Sequence, residues 1–169
     1  MGIFTPDLNN LRDLYINMLQ RALNSEKQIV DKGLPAMIDK STSAELAEAF
    51  RTHLAESQQH VTRLERILDS AKGEANDTKC KVTAALISSA ESEISDATNN
   101  SIRDVLLIAA GNQVEHHEIA VYGTLRTWAE ILGNHQDAAV LDRTLAEEQH
   151  ADEVLTKLSK QINVAAAVA

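Results

Sequence analysis

The sequence of 169 residues has little of what disulfide-rich, thiolate-rich or turn-rich proteins need. Cys80 is the only cysteine, which excludes an internal disulfide, a Cys₄ zinc or iron site and a redox cysteine pair. Two prolines, six glycines and 3% aromatic residues leave little material for the turns and strands of a β fold. Alanine, leucine, glutamate, glutamine and lysine dominate instead, and these residues favour helices.

Clusters of positive charge and long apolar runs are also missing. The 16 lysines and arginines are scattered and are outnumbered by 25 aspartates and glutamates, which gives a formal net charge of −9. This balance argues against a nucleic-acid partner, because a phosphate-binding surface needs clustered basic residues. The longest apolar run, residues 105–110, is too short to cross a membrane, and the N-terminal segment lacks a signal-peptide pattern. We therefore expect a cytoplasmic protein with no membrane partner.

Apolar residues recur every three or four positions along almost the whole chain, which is typical of amphipathic helices. The pattern breaks at residues 73–78, which we expect to form a loop, and at the alanine-rich end, residues 162–169, which we expect to be a frayed tail. The predicted helices cover 7–37, 42–71, 79–97, 101–132 and 136–161.

Local signals mark the ends of these helices. Pro35 should bend or end the first helix. Thr42, with Glu45 three residues later, forms a capping box that should open the second. Ser101 is the expected N-cap of the fourth helix, and the Gly133-Asn134 pair should end it with a left-handed residue.

The connections predict how the helices are arranged in a single domain, 1–169. Short links make residues 7–71 and 101–161 two antiparallel helical hairpins. Residues 72–100, with a short helix of their own, must then carry the chain along the length of the assembly. The predicted fold is all-α: a ferritin-like four-helix bundle with one long crossover that carries an extra short helix.

Four glutamates interrupt the apolar stripes at matched spacing. Glu26 and Glu56 are 30 positions apart, as are Glu118 and Glu148, and an offset of 92 superimposes the two pairs. A single glutamate in a glutamate-rich helix is usually a surface residue, so the joint pattern carries the argument. Buried carboxylates that converge repel one another, and two divalent metal ions would neutralise four of them. The pattern therefore predicts a dinuclear metal site inside the bundle, with iron as the expected metal and manganese as the alternative.

Further ligands are expected one helical turn from these glutamates. His60 follows Glu56 by four residues, as Asp152 follows Glu148, and this spacing keeps each pair on one helix face. His53, three residues before Glu56, shares that face as well. The spacing leaves open which histidine is the ligand. The matched offset favours His60, with His53 as a neighbouring or alternative group.

Other candidates are weaker. Glu115 lies one turn before Glu118 and is an additional carboxylate candidate. Glu147 and His150 fit the Glu-x-x-His pattern of dimetal bundles. Basic helical neighbours such as Arg143 indicate instead that this pair faces solvent.

Several motifs resemble those of the YciE/YciF family of ferritin-like bacterial stress proteins. These are Leu-Asn-Ser-Glu26-Lys-Gln-Ile, Ala-Phe-Arg-Thr-His53-Leu-Ala-Glu56-Ser, Val114-Glu115-His-His-Glu118-Ile-Ala-Val-Tyr122-Gly-Thr-Leu and Thr144-Leu-Ala-Glu147-Glu148. The resemblance implies a ferritin-like fold, a dimer and a dimetal centre, while His60 and His150 match no fixed position of the family. The site positions it implies are Glu26, Glu56, Glu115, Glu118, Glu148 and Asp152, with His53 nearby.

Two functions follow as hypotheses. The first is a redox metalloprotein whose two iron or manganese ions react with O₂ or peroxide, or oxidise ferrous iron, with Glu56 and Glu148 bridging the ions. The second is a non-enzymatic dimeric stress protein with a structural metal site. A homodimer is expected because the helices offer apolar residues beyond one core stripe, namely Phe50, Leu54, Val61, Leu68, Val121 and Trp128.

Overall fold

The computed structural model describes residues 8–71 and 78–167, and every regular element in these ranges is helical. The all-α prediction is therefore confirmed. The helices are α1 (Leu11–Gln28), α2 (Leu34–Lys40), α3 (Ala44–Ser70), α4 (Lys81–Ser95), α5 (Asn100–Ile131) and α6 (His135–Ala167), and a π-helical segment, Ile29–Gly33, joins α1 to α2.

The first helical stretch ends neither at Pro35 nor at the predicted residue 37. The chain stays helical to Lys40, because the π segment widens one turn and Pro35 falls in the first turn of α2. A proline costs little there, since the first amides of a helix have no helical partner to lose. In the π segment, the N–H of Leu34 donates to the carbonyl of Ile29, five residues back. A π turn inside a helix often accompanies a functional site, and this one begins three residues after Glu26.

Most of the segment predicted as a frayed tail is helical, because α6 continues to Ala167, while residues 168 and 169 lie outside the described ranges. Its last residues are mainly alanine, which extends a helix at little entropic cost. Of the predicted loop 73–78 only Thr78 lies within the described ranges, and the predicted helix start at residue 7 lies outside them. The predicted end at Gly133 is confirmed by its positive φ of 76°.

Two predicted N-caps are displaced by neighbouring residues. Ser43, not Thr42, caps α3 by accepting the N–H of Leu46, and Asn99, not Ser101, caps α5. Thr42 is unavailable because its hydroxyl and its N–H both donate to the carboxylate of Asp104 on α5. A long-range contact therefore decides the start of α3.

The four long helices surround a common interior. α1 contacts α3 and α5, and α6 contacts the same two helices, so each long helix has two long neighbours. The short crossover helix α4 packs on α5 and touches α1. Two apolar clusters fill the ends of this interior, one around Leu19, Leu64 and Leu141 and the other around Phe50 and Leu155. The interrupting acids and histidines occupy positions between these clusters along each helix.

We expect an Asp104→Ala variant to lose about 2–3 kcal/mol of unfolding free energy. Asp104 is 5% exposed and accepts three hydrogen bonds, from the N–H groups of Thr42 and Ser43 and from the Thr42 hydroxyl. Charged hydrogen bonds of this kind are worth more than neutral ones, and their loss would leave the donors unpaired. Chemical denaturation measures the change.

The matched control is Asp142→Ala, which removes an exposed ion pair with Arg126 and should change stability by less than about 1 kcal/mol. Equal effects of the two substitutions would contradict a structural role for Asp104.

Candidate metal centre

Six acidic and histidine side chains from all four long helices meet between the two apolar clusters. Each is at most 4% exposed. α1 contributes one, α3 and α5 two each, and α6 one; they are Glu26, His53, His60, Glu115, Glu118 and Glu148.

These side chains form two groups whose potential ligand atoms lie within 4.8 Å of one another. The His53 group consists of His53, Glu115, Glu118 and Glu148, and the His60 group of Glu26, His60 and Glu148. Glu148 belongs to both groups. The cluster therefore has the composition of two adjoining cation sites with one shared carboxylate.

The histidines approach the shared carboxylate from two sides. The Nδ1 atom of His60 lies 2.9 Å from Glu148 Oε1 and 3.2 Å from Glu26 Oε1. The Nε2 atom of His53 lies 3.6 Å from Glu148 Oε2 and 3.3 Å from Glu115 Oε1. The sequence left the choice between the two histidines open, and the structure brings both to the cluster, one to each group.

Several buried oxygens of the cluster have no partner among the described residues. The Oε2 atoms of Glu26, Glu115 and Glu118 accept no hydrogen bond. A buried carboxylate oxygen without a partner is costly, and a cation is the usual remedy. Oxygen and imidazole nitrogen donors of this kind suit iron and manganese. The residues present therefore fit two divalent ions.

The environment of the cluster shifts the pKa values of its carboxyl groups in opposite directions. Burial, and then repulsion from Glu26 and Glu148, raises the pKa of Glu118 well above its usual value. Burial also acts to raise the pKa of Glu148, but His60 and His53 outweigh it and hold that pKa below its usual value. Against the effect of burial, the carboxylates raise the pKa of His53 to about 9 and that of His60 to about 10. Protons on the histidines thus balance the shared carboxylate, and a metal ion would displace them.

Tyr122 also faces the cluster. Its hydroxyl donates a hydrogen bond of 2.5 Å to Glu26 Oε1, and its side chain is 1% exposed. The contact orients Glu26 and leaves the other oxygen of that carboxylate for a ligand role.

Glu147 is the functional contact that sequence reasoning missed. Expected on a solvent-facing side, its carboxylate instead lies 2.9 Å from Nε2 of His60 and is bound by Arg63 and Arg143. Burial opposes the shift, but these three partners lower the pKa of Glu147 to about 2. A carboxylate on the far nitrogen of a metal-binding histidine fixes its tautomer and direction.

Glu56 lies at the edge of the site. Its side chain is 33% exposed, and its Oε2 atom is 3.8 Å from Nδ1 of His53. Glu56 is partly exposed because the buried stripe of α3 runs through His53, Ser57 and His60. The stripe therefore passes through the residue after Glu56. The assignment of Glu56 as a bridging ligand stays a prediction.

Asp152 also lies outside both groups, with one carboxylate oxygen 3.1 Å from Nδ1 of His116. Its ligand assignment likewise stays a prediction. His150 is exposed, as expected, and His117 is placed beside Cys80, with Nε2 3.8 Å from the sulfur.

A Glu147→Gln variant should bind metal roughly 10-fold more weakly than the parent chain while keeping its helix content. The amide keeps the shape but loses the charge that holds His60 and the two arginines, and outer carboxylates of this type are worth roughly 10–100-fold in metal affinity. Competition titration with a chelator measures the affinity.

Glu153→Gln is the control, because Glu153 lies exposed on the same helix. If both variants bind metal as tightly as the parent, Glu147 does not position His60.

Known proteins are similar to this chain in sequence and structure. The family model described as "Domain of unknown function (DUF892)" matches residues 10–168. Protein YciF of Escherichia coli (strain K12) is 34% identical over 154 residues, which cover 90% of this chain and 92% of that protein. No helix in the described ranges is long and apolar enough to cross a membrane.

Solved structures agree. The crystal structure of the E. coli stress protein YciF superimposes with a TM-score of 0.87 at 34% identity and covers 92% of this chain and 98% of that one. YcfI from Rhodopseudomonas palustris gives a TM-score of 0.86 at 31% identity, covering 91% and 98%. The family predicted from the motifs is therefore confirmed: the chain belongs to the DUF892 family and is a relative of the stress protein YciF.

Proposed function

We propose that this chain is a dinuclear metal protein of the stress response, whose buried centre binds two iron ions, or two manganese ions, and reacts with O₂ or peroxide or oxidises ferrous iron. The observation that carries the proposal is the pair of buried histidine–carboxylate groups that share Glu148. The relative named a stress protein supports the biological setting.

The residues of the cluster have distinct roles in this proposed function. His53 and Glu118 serve the first ion, His60 and Glu26 serve the second, and Glu148 lies between the two. Bound iron or manganese would supply electrons to the oxidant. The protein supplies fixed ligands and limits solvent, because apolar clusters lie on both sides of the centre.

The proposal includes a homodimer in the cytoplasm, without a nucleic-acid partner. Two of the apolar residues from which the sequence predicted a homodimer do not form a free surface. Phe50 and Leu68 are 2% and 1% exposed and belong to the chain's own core. Trp128 and Val121 are only partly buried, and Ile131 is 67% exposed, so apolar surface for a partner copy lies toward the end of α5. A monomer by light scattering at micromolar concentration would contradict this part.

The test is elemental analysis of protein expressed with iron supplementation and purified without chelator, followed by a peroxide-consumption assay. About two iron ions per chain and consumption of peroxide are expected. Zinc alone at a single site would contradict the proposal. Two ions without any consumption would favour the alternative, a stress protein with a structural metal site.

A further inference from the structure

A long groove runs between α3 and α6 and ends at the candidate metal centre. Its volume is about 550 Å³. It is lined from α3, α5 and α6, and at its inner end lie His53 and Glu115 of the His53 group. The apolar lining side chains are Ala44, Ala49, Phe50, Ala151, Val154, Leu155 and Leu158.

The groove is far larger than the small oxidants considered above require. A water molecule needs roughly 10–15 Å³ of such volume, and O₂ or hydrogen peroxide needs little more. Sites for organic molecules occupy roughly 300–1,000 Å³, mostly apolar with a few convergent polar groups. The groove has this size and this composition.

Its polar end is unsatisfied. The Nδ1 atom of His53 and the Oε2 atom of Glu115 have no hydrogen-bond partner among the described residues, although both side chains are at most 4% exposed. His53 faces Glu115 and Glu148 through its Nε2 atom, so its Nδ1 atom is left to bind the polar end of a molecule whose apolar body lies in the groove, and the second oxygen of Glu115 can do so in the metal-free chain.

The charges along the groove select against anions. The lining contains Glu45, Glu48 and Glu56 and no lysine or arginine. Glu48 is paired with Arg51, which lies outside the lining, so the unpaired negative charge of the groove comes from the exposed Glu45 and from Glu56 beside His53. The positive charge of His53 at the inner end is already balanced by Glu115 and Glu148, 3.3 and 3.6 Å from its Nε2 atom, so the net negative charge of the lining repels a carboxylate or phosphate group.

We propose that the groove binds an uncharged organic molecule with an aliphatic body and one hydroxyl-type polar end, which it directs to His53 and Glu115. This inference rests on the proposed function, because it makes such an organic molecule the substrate class of the same metal centre. It concerns the chain's own residues, so it can be tested on metal-free protein.

The test uses 1-octanol and octanoate, which share an aliphatic body and differ in the charge of the polar end. Binding to the metal-free full chain is measured by calorimetry and by amide chemical shifts. Octanol should bind at least about tenfold more tightly than octanoate and shift the amides of residues along the groove. Absence of octanol binding, or equal binding of the two probes, would overturn the proposal.

The blocking variant is Ala151→Leu, which fills the groove from α6, and the control is Ala146→Leu on an exposed position of the same helix. Octanol affinity should fall at least tenfold in the first and stay unchanged in the second. If Ala151→Leu does not fold, Ala49→Leu fills the groove from α3 instead. Unchanged octanol binding in a folded groove variant would contradict the proposed site.

Light scattering tests the remaining alternative, in which a second copy of the chain occupies the groove. If Ala151→Leu converts a dimer into a monomer, a second copy of the chain occupies the groove and the proposal is wrong. If the metal analysis fails but octanol still binds the metal-free chain, the dinuclear function is contradicted and the groove proposal is not. If the metal analysis finds two ions but octanol does not bind the metal-free chain, only the groove proposal is contradicted.

Discussion

A Glu148→Gln variant is expected to lose both metal ions at concentrations that saturate the parent chain. Glu148 is the one residue common to the two ligand groups, and it is fully buried. An amide has the same shape but carries no charge and can offer only one oxygen, so each ion would lose an anionic ligand. The loss should exceed the roughly 10–100-fold that an outer carboxylate contributes.

The same variant should also unfold more easily without metal. From sequence alone, removing one of several repelling carboxylates would be expected to relieve strain. The contacts reverse this expectation for Glu148, because it lies between His53 and His60 and balances their charge. Removing one partner of a buried pair typically costs several kcal/mol, here about 2–4 kcal/mol because the histidines can release protons.

Glu118→Gln is the matched control for this second effect. Glu118 is 2% exposed, its Oε2 atom has no hydrogen bond, and burial followed by repulsion from Glu26 and Glu148 raises its pKa, so a neutral amide can replace it at little cost. We expect weaker metal binding but equal or greater stability of the metal-free chain. Denaturant unfolding in the presence of a chelator compares the two variants, and equal destabilisation by both would contradict the pairing described for Glu148.

Single His53→Ala and His60→Ala variants should each retain about one of two ions. The histidines belong to different groups, and only Glu148 connects these groups. Each variant therefore loses the one nitrogen ligand of its own site and keeps the other site. Elemental analysis gives the stoichiometry, and spectra of cobalt-substituted protein would show which ligand set remains.

Two other outcomes are decisive. Full metal content in either variant would show that the altered histidine is not a ligand. Loss of both ions in each variant would show that the two sites fill only together, and that the histidines act as a unit rather than one for each ion. Asn134→Ala, in the turn between α5 and α6, serves as a control far from the cluster along the chain.

The sequence predicted the helical class and the central acids because both depend on periodicity within one helix. Glu26, Glu118 and Glu148 interrupt apolar stripes, and a residue in such a stripe faces the interior whatever the neighbouring helix contributes. The same logic does not give the partial exposure of Glu56, because Ser57 belongs to the buried stripe as well and shifts its centre away from Glu56. Counting that small polar residue as part of the stripe would have placed Glu56 at the edge of the buried face.

Features that depend on distant residues could not be predicted in this way. The role of Glu147 is set by Arg63 and His60 on another helix, more than 80 positions away in sequence. The cap of α3 is set by Asp104, about 60 positions away. No local pattern contains this information, since it arises only once the helices are packed.

The tight turn between α5 and α6 also has a consequence for the order of folding. These two helices share the most extensive contact in the described part of the chain and are joined by only three residues, so their hairpin closes at little entropic cost. That hairpin already carries Glu115, Glu118 and Glu148, whereas both histidines arrive with α3. Folding should therefore gather negative charge first, and the docking of α3 should be the step that slows when the histidines are replaced and accelerates when divalent metal is present.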